Sequence, residues 1–175
     1  IPVNEGSWTV MARTTYQVRE LAKWFRASGF KFSMKGYASI SEKLVGNILA
    51  WEDLCQDKTI GLQRLRQLYT GLPKQGEDAA LRRGATKLLD AIHPEAEVGM
   101  QQLQSDYGLL KGAEISAYNV LRVSVSERNY IDAIQRRGED LLSPPRIKLS
   151  TFHAMKGGED DNCIVYTAST KACVE

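Results

Sequence analysis

Strand-like segments occur only near the two ends of this 175-residue chain, and residues 33–145 between them carry a helical rhythm. No other feature constrains the fold as tightly. A strand leaves its backbone N–H and C=O groups seeking partners outside itself. Strands from the two ends must therefore pair with one another, and the helical stretch must leave the sheet and return to it. The expectation is an α/β fold interrupted by a large all-α insertion.

The first end opens with Trp8-Thr9-Val10-Met11-Ala12, a β-prone run. Thr14 with Gln17 three residues on has capping-box spacing. Val18, Leu21, Ala22 and Phe25 then recur on one helical face. Gly29 stands where a helix-ending glycine belongs, and Phe30-Lys31-Phe32 reads as a second strand. Strand, helix, strand in this order predicts a parallel βαβ unit. At the other end, residues 146–150 alternate polar and apolar. Residues 162–167 form another candidate strand, read as buried together with its Cys163. Residues 1–32 and 146–175 are thus assigned to one discontinuous α/β domain, and 33–145 to the inserted helical one.

Within the insertion, Leu44, Val45, Ile48, Leu49 and Trp51 mark a first helical stripe. Leu62, Leu65, Leu68, Tyr69 and Leu72 mark a second, started by Thr59. Leu81, Ala85, Leu88, Leu89 and Ile92 mark a third, capped near Asp78. A weaker pattern covers 98–107, a short one holds Tyr118, Leu121 and Arg122, and Ser126 is placed as the cap of a last helix with Tyr130, Ile131 and Ile134. Trp51, Tyr69, Tyr118 and Tyr130 fall on apolar stripes and read as core. Trp24 lies off the stripe of its own helix. Arg82-Arg83 and Arg136-Arg137 read first as solvated helix faces, with phosphate contact as the alternative.

Composition narrows the class. Hydrophobic residues make up 43%, and 23 basic side chains nearly balance 21 acidic ones, which excludes charge-driven disorder. The apolar runs are too short for a transmembrane helix, and no basic-then-apolar leader opens the chain. The chain begins without an initiator Met and reads as a piece of a longer protein, expected in the cytoplasm. Cys55, Cys163 and Cys173 form no C-x-x-C pair, and His93 and His153 are the only histidines. Neither a disulfide framework nor a metal site is expected from them.

Chemistry concentrates in residues 151–159, Thr-Phe-His-Ala-Met-Lys-Gly-Gly-Glu, directly after a strand. Ligands in open α/β sheets bind beyond the carboxyl ends of strands, and adjacent glycines let backbone N–H groups approach a phosphate. On composition alone the segment reads equally as a polar turn. The phosphate loop G-x-x-x-x-G-K-[ST] is absent from the chain.

The order Thr151-x-His153-x-x-Lys156-Gly157-x-Glu159, between an Ile-x-Leu strand and an Ile-Val strand, resembles motif V of superfamily 1 DNA helicases of the UvrD/Rep type. Arg146-Ile147 and Asp160-Asp161-Asn162 look most like the phage-encoded branch. Thr9-Val10-Met11-Ala12-Arg13-Thr14, followed by a helix and a short strand, is similar to motif IV of the same family. The family usually carries an apolar residue where Gly158 stands, and often an apolar or small one at Asp160.

The resemblance implies a RecA-like second motor domain, incomplete here and carrying its helical insertion. It implies ATP with Mg²⁺, bound mainly by a first RecA-like domain of the same polypeptide, and a single-stranded DNA track with a duplex junction. Arg13 would be the catalytic arginine at the transferred phosphoryl group. Gly157, Gly158 and Glu159 would lie at the nucleotide, with Glu159 on its ribose hydroxyl. Thr151, His153 and Lys156 would lie along the DNA. The resemblance implies no resident metal in this part, no membrane, and no ATP hydrolysis by this chain alone. A helicase–nuclease motor, or a non-catalytic DNA-binding module keeping the fold, are the rival readings.

Overall fold

In a computed structural model describing residues 5–156 and 158–167, both ends of the chain build one mixed five-stranded sheet. Its strands are β1 (Trp8–Ala12), β2 (Phe32–Met34), β3 (Tyr37–Ala38), β6 (Ile147–Thr151) and β7 (Asn162–Tyr166), in the order β3-β2-β6-β1-β7. β6 and β7 both run parallel to β1, β2 runs parallel to β6, and β3 closes the edge antiparallel to β2. β2 begins two residues later than the sequence pattern implied.

Helix α1 (Thr15–Ala27) starts at the expected capping box: Thr14 Oγ1 accepts from the Gln17 N–H at 3.2 Å, and Gln17 Oε1 accepts from the Thr14 N–H at 3.0 Å. Its Val18 and Phe25 pack with Val10, Ala12, Phe32, Ile147 and Leu149 into the core on one face of the sheet. A β-strand after a crossover returns right-handed. The connection β1-α1-β2 moves one way along the sheet, and the connection β6 to β7 moves the other way. The two must therefore pass over opposite faces. Asp160, on the second connection, indeed meets Thr9, whose side chain alternates with that of Val10 and lies on the face away from α1.

Two contacts close this unit around the sheet. Lys31 is buried, and its Nζ donates to the carbonyl of Asp140 and to the carbonyl and hydroxyl of Ser143, at 2.5 Å and 2.7 Å for the latter two. Desolvation holds this ammonium below the ordinary lysine range. The Tyr130 hydroxyl donates to the Phe30 carbonyl at 2.7 Å, while the Arg26 guanidinium lies 4.3 Å from the Tyr130 ring centroid. On the α1 side, a groove of about 720 Å³ remains open, walled by Trp8, Tyr16, Leu21, Trp24, Phe30 and Tyr166. Trp24 stacks on Phe30 there and is 57% exposed.

The second compact unit is Ser41–Arg128; the first takes residues up to Ile40 and from Asn129 onward. The division therefore falls some residues inside the 33–145 span read from the sequence. Residues 33–40 belong with the sheet because they carry β3, and residues 129–145 because they carry Tyr130 and the Lys31 anchor. The helical unit holds α2 (Glu42–Cys55), α3 (Leu62–Gly71), α4 (Ala85–Leu88), α5 (Met100–Ser105) and α6 (Ala117–Val120). Trp51, Leu54, Leu65, Leu68, Tyr69, Leu89 and Leu103 are its fully buried centre. Trp51 Nε1 donates to the Ile115 carbonyl at 2.8 Å, and burial pushes the Tyr69 hydroxyl far up in pKa.

Several local expectations are corrected. The insertion holds a small antiparallel pair, β4 (Ile60–Gly61) with β5 (Glu97–Val98), so Thr59 leads into a strand and Gly61 stands at the start of α3. The third helix is only one turn, because Gly84 takes a left-handed φ of 83° just before it. Leu81 bridges to Leu109 instead, and Leu88 is exposed. Ser124, not Ser126, caps the last helix, α7 (Val125–Arg136), accepting from the Glu127 N–H at 3.2 Å. Cys163 is exposed, since β7 is an edge strand with a half-open outer face.

Gly29 follows α1 with φ of 71°, and a Cβ there would lie 2.5 Å from the Ala133 carbonyl oxygen, which is backbone and cannot yield. Gly36 has φ of 81° but nothing within 4 Å. Gly36→Ala is expected to cost about 1–2 kcal/mol for the left-handed conformation alone. Gly29→Ala should cost at least about 1 kcal/mol more from overpacking. Equal urea midpoints for the two variants would contradict this.

Candidate functional site

The opposed crossovers create a switch point at the carboxyl ends of β1 and β6, which is where open α/β sheets place their ligands. Ala12 and Thr151 are register partners at that end, and the Phe152 N–H donates to the Ala12 carbonyl at 3.2 Å. Arg13 is the next residue after β1, so Arg13 and the segment Thr151-Phe152-His153 emerge side by side on one edge. The amino end of α1 starts at the same place.

Thr151 is half-buried and shapes the turn. Its carbonyl accepts from the Ala154 and Met155 N–H groups at 3.1 Å and 3.2 Å, and its hydroxyl from the Ala154 N–H at 3.4 Å. The turn throws His153 and Lys156 outward, and both are exposed. Arg13 and Glu159 are exposed as well. None of these four side chains forms a hydrogen bond or ion pair among the described residues. Gly158 donates its N–H to the Met155 carbonyl at 2.9 Å. A Cβ at 158 would meet the Met155 methyl at 2.7 Å, a flexible end that can move aside. Gly157 lies outside the described residues.

The structure does not bring Glu159 beside Arg13. Its neighbour Asp160 is fastened at the level of Thr9, four residues back from Arg13, or about 13 Å of extended chain. Asp160 accepts from the Thr9 hydroxyl and from Lys148 Nζ at 3.4 Å. Asp161 accepts from the Ser7 N–H at 2.7 Å and the Ser7 hydroxyl at 2.9 Å, and its own N–H donates to Ser7 Oγ at 3.0 Å. The Asn162 N–H donates to the Ser7 carbonyl at 3.1 Å. The segment thus leaves the ligand edge through a backbone-bonded turn with unpaired outward side chains, and its far end is locked at the opposite edge. The Thr9 hydroxyl, foremost, with Lys148, holds the Asp160 carboxyl below the usual range. The Ser7 backbone N–H, then its hydroxyl, does the same for Asp161.

Sequence reading missed this lock and missed Phe152. Thr9 and Lys148 are cross-strand partners, and polar residues at alternate positions of two adjacent strands were the available signal. Phe152 keeps 38% of its surface exposed beside Ala12. Of the other arginines, Arg137 lies 3.6 Å from the Phe30 ring centroid and 3.4 Å from Glu139, which makes it part of the fold. Among the described residues no group of three or more His, Cys, Asp or Glu side chains converges on a point. No helix is long and apolar enough to cross a membrane.

Comparison with protein families, curated proteins and solved structures finds no match to this chain.

The lock gives a pH test. A carboxyl held low in the folded state adds stability that is complete above the unfolded value, about 3.9 for aspartate, and fades as pH falls through the folded value. The wild type should therefore exceed Asp160→Asn and Asp161→Asn in thermal midpoint near neutrality, with the gap closing below about pH 3.9. A gap independent of pH would show that these carboxylates do not act through their charge.

Proposed function

We propose that this chain is part of the second, RecA-like motor domain of an ATP-dependent DNA helicase of superfamily 1, with the helical unit as its insertion. The observation that carries the reading is the emergence of Arg13 and Thr151-Phe152-His153 together at the switch point of a parallel sheet. This puts a cation and the hydrogen-bonding groups of Thr151 and His153 on the edge where such sheets take ligands.

The free groups suit those roles. Arg13 is exposed and unpaired among the described residues, so its guanidinium fork is available to an anion. Glu159 offers a free carboxylate, an acceptor for a ribose hydroxyl. Its distance from the Arg13 edge means that the loop 152–159 would have to shift for both to meet one nucleotide. The Thr151 hydroxyl, the His153 ring and the Lys156 ammonium can hold phosphate oxygens without reading bases, and the exposed Phe152 ring can stack on one. ATP with Mg²⁺ supplies the driving force through cleavage of its terminal anhydride. In this reading the metal's ligands belong to the first motor domain.

The chain should bind single-stranded oligothymidine weakly, with affinity falling as salt rises. His153→Ala should weaken that binding by about 1 kcal/mol, one lost hydrogen bond, and Arg13→Ala should leave it nearly unchanged. In a polypeptide that also carries the phosphate loop, Arg13→Ala should lower ATP turnover by about 10³. Fluorescence anisotropy and a phosphate-release assay read the two effects. ATP hydrolysis by this chain alone, or loss of DNA affinity in Arg13→Ala with turnover intact, would overturn the assignment.

A further inference from the structure

In the helical unit, the loop after α3 forms a concave surface of about 540 Å³ lined by Lys74, Arg82, Arg83, Gly84 and Thr86, with Leu81 and Ala85 among its lining residues. It has three cations in its wall and no acidic side chain. All three are exposed, and none has a side-chain hydrogen bond or ion pair among the described residues. Lys43, Lys87 and Lys111 are likewise unpaired among the described residues, but the other arginines of this unit find partners. Arg64 and Lys58 pair with Asp53, Arg66 with Asp90, and Arg122 with Asp78 at 3.7 Å. Arg128 lies over the Tyr118 ring. The same loop carries Glu77 and Asp78, but Asp78 is directed to Arg122, and exposed Glu77 pairs with none of the three cations among the described residues.

The loop holding these cations is also fixed. The Ala80 N–H donates to the Pro73 carbonyl at 2.8 Å, the Arg82 N–H to the Gly108 carbonyl at 2.8 Å, and the Leu110 N–H to the Ala80 carbonyl at 2.9 Å. Leu81 and Ala85 are buried beneath it. Mutually repelling charges on a rigid loop cost free energy unless something anionic answers them. A pre-ordered backbone lowers the entropy lost when that anion arrives.

We infer that this concavity is a second nucleic-acid contact, taking the phosphodiester backbone without regard to sequence. The inference rests on the nucleic-acid reading of the chain but on none of the sheet-edge residues. Two arginines and a lysine supply the forked and point charges that phosphate oxygens accept. The absence of an aromatic side chain from the wall favours backbone over base contact.

The test is anisotropy of the whole chain with labelled oligothymidine over a salt series. Each neutralised phosphate adds about 0.7 to the slope of log affinity against log salt for single strands. The triple variant Lys74→Gln, Arg82→Gln, Arg83→Gln should bind about tenfold more weakly and lose about 2 from that slope. The control triple Lys35→Gln, Lys43→Gln, Lys111→Gln, with the same change in net charge, should keep most of both. The charge-keeping triple Lys74→Arg, Arg82→Lys, Arg83→Lys should restore binding. Equal losses in the first two triples would overturn the inference. So would saturable binding of inorganic pyrophosphate at the concavity with oligonucleotide binding untouched, or equal binding of a polyglutamate peptide of matched charge. If His153→Ala weakens binding and the first triple does not, the sheet-edge reading stands and this one fails. If the first triple weakens binding and His153→Ala does not, this one stands alone. If the wild type binds no oligonucleotide, both fail.

Discussion

β1 has no free edge. One side is taken by β6 and the other by β7, both parallel and both drawn from beyond the helical unit. β1 and β2 follow each other in sequence but do not pair, because β6 lies between them. The first forty residues therefore cannot close a sheet by themselves, however clear their strand and helix signals. Their backbone groups stay unsatisfied until the far end of the chain is in place. This is folding through long-range pairing, slow because loop entropy is lost before contacts reward it. The unit Ser41–Arg128, by contrast, is one contiguous stretch of chain.

β1, β6, β7 and the first helix were legible because their signals are local. The capping box at Thr14 and Gln17, the apolar face ending at Phe25 and the glycine after it each act within one or two turns. Residue periodicity failed where a single backbone position overrode it. The stripe from Leu81 to Ile92 has helical spacing, but left-handed Gly84 interrupts it, and Leu81 finds Leu109 as a partner. β4 and β5 are two residues each, too short to alternate. Cys163 was misread as buried because an apolar run does not say whether its strand is central or at an edge.

The candidate residues stood out by type and order, but their arrangement was not legible. Arg13 and Thr151 could be singled out by type and order, but their adjacency depends on β6 entering beside β1, which is a matter of topology. The carboxylates were harder still. Glu159, Asp160 and Asp161 look alike in sequence, yet Asp160 and Asp161 fasten the loop to Ser7 and Thr9 while Glu159 has no partner among the described residues. Which of three adjacent acids is structural depends on which hydroxyls the sheet presents to it. The same loop thus joins an end fastened through carboxylates to a turn whose outward side chains are unpaired among the described residues.

The three tryptophans divide between the two units in unequal environments. Trp51 is wholly enclosed in the helical unit, its indole N–H bonded to a carbonyl. Trp8 and Trp24 line the open groove beside α1, and Trp24 keeps most of its ring in water. An enclosed indole emits toward the blue and resists aqueous quenchers, whereas a wet one emits toward the red and is quenched readily. Intrinsic fluorescence therefore carries two separable signals. The blue edge follows the helical unit, and the red edge follows the groove wall of the sheet. Each unit reports its own order optically, with no added label.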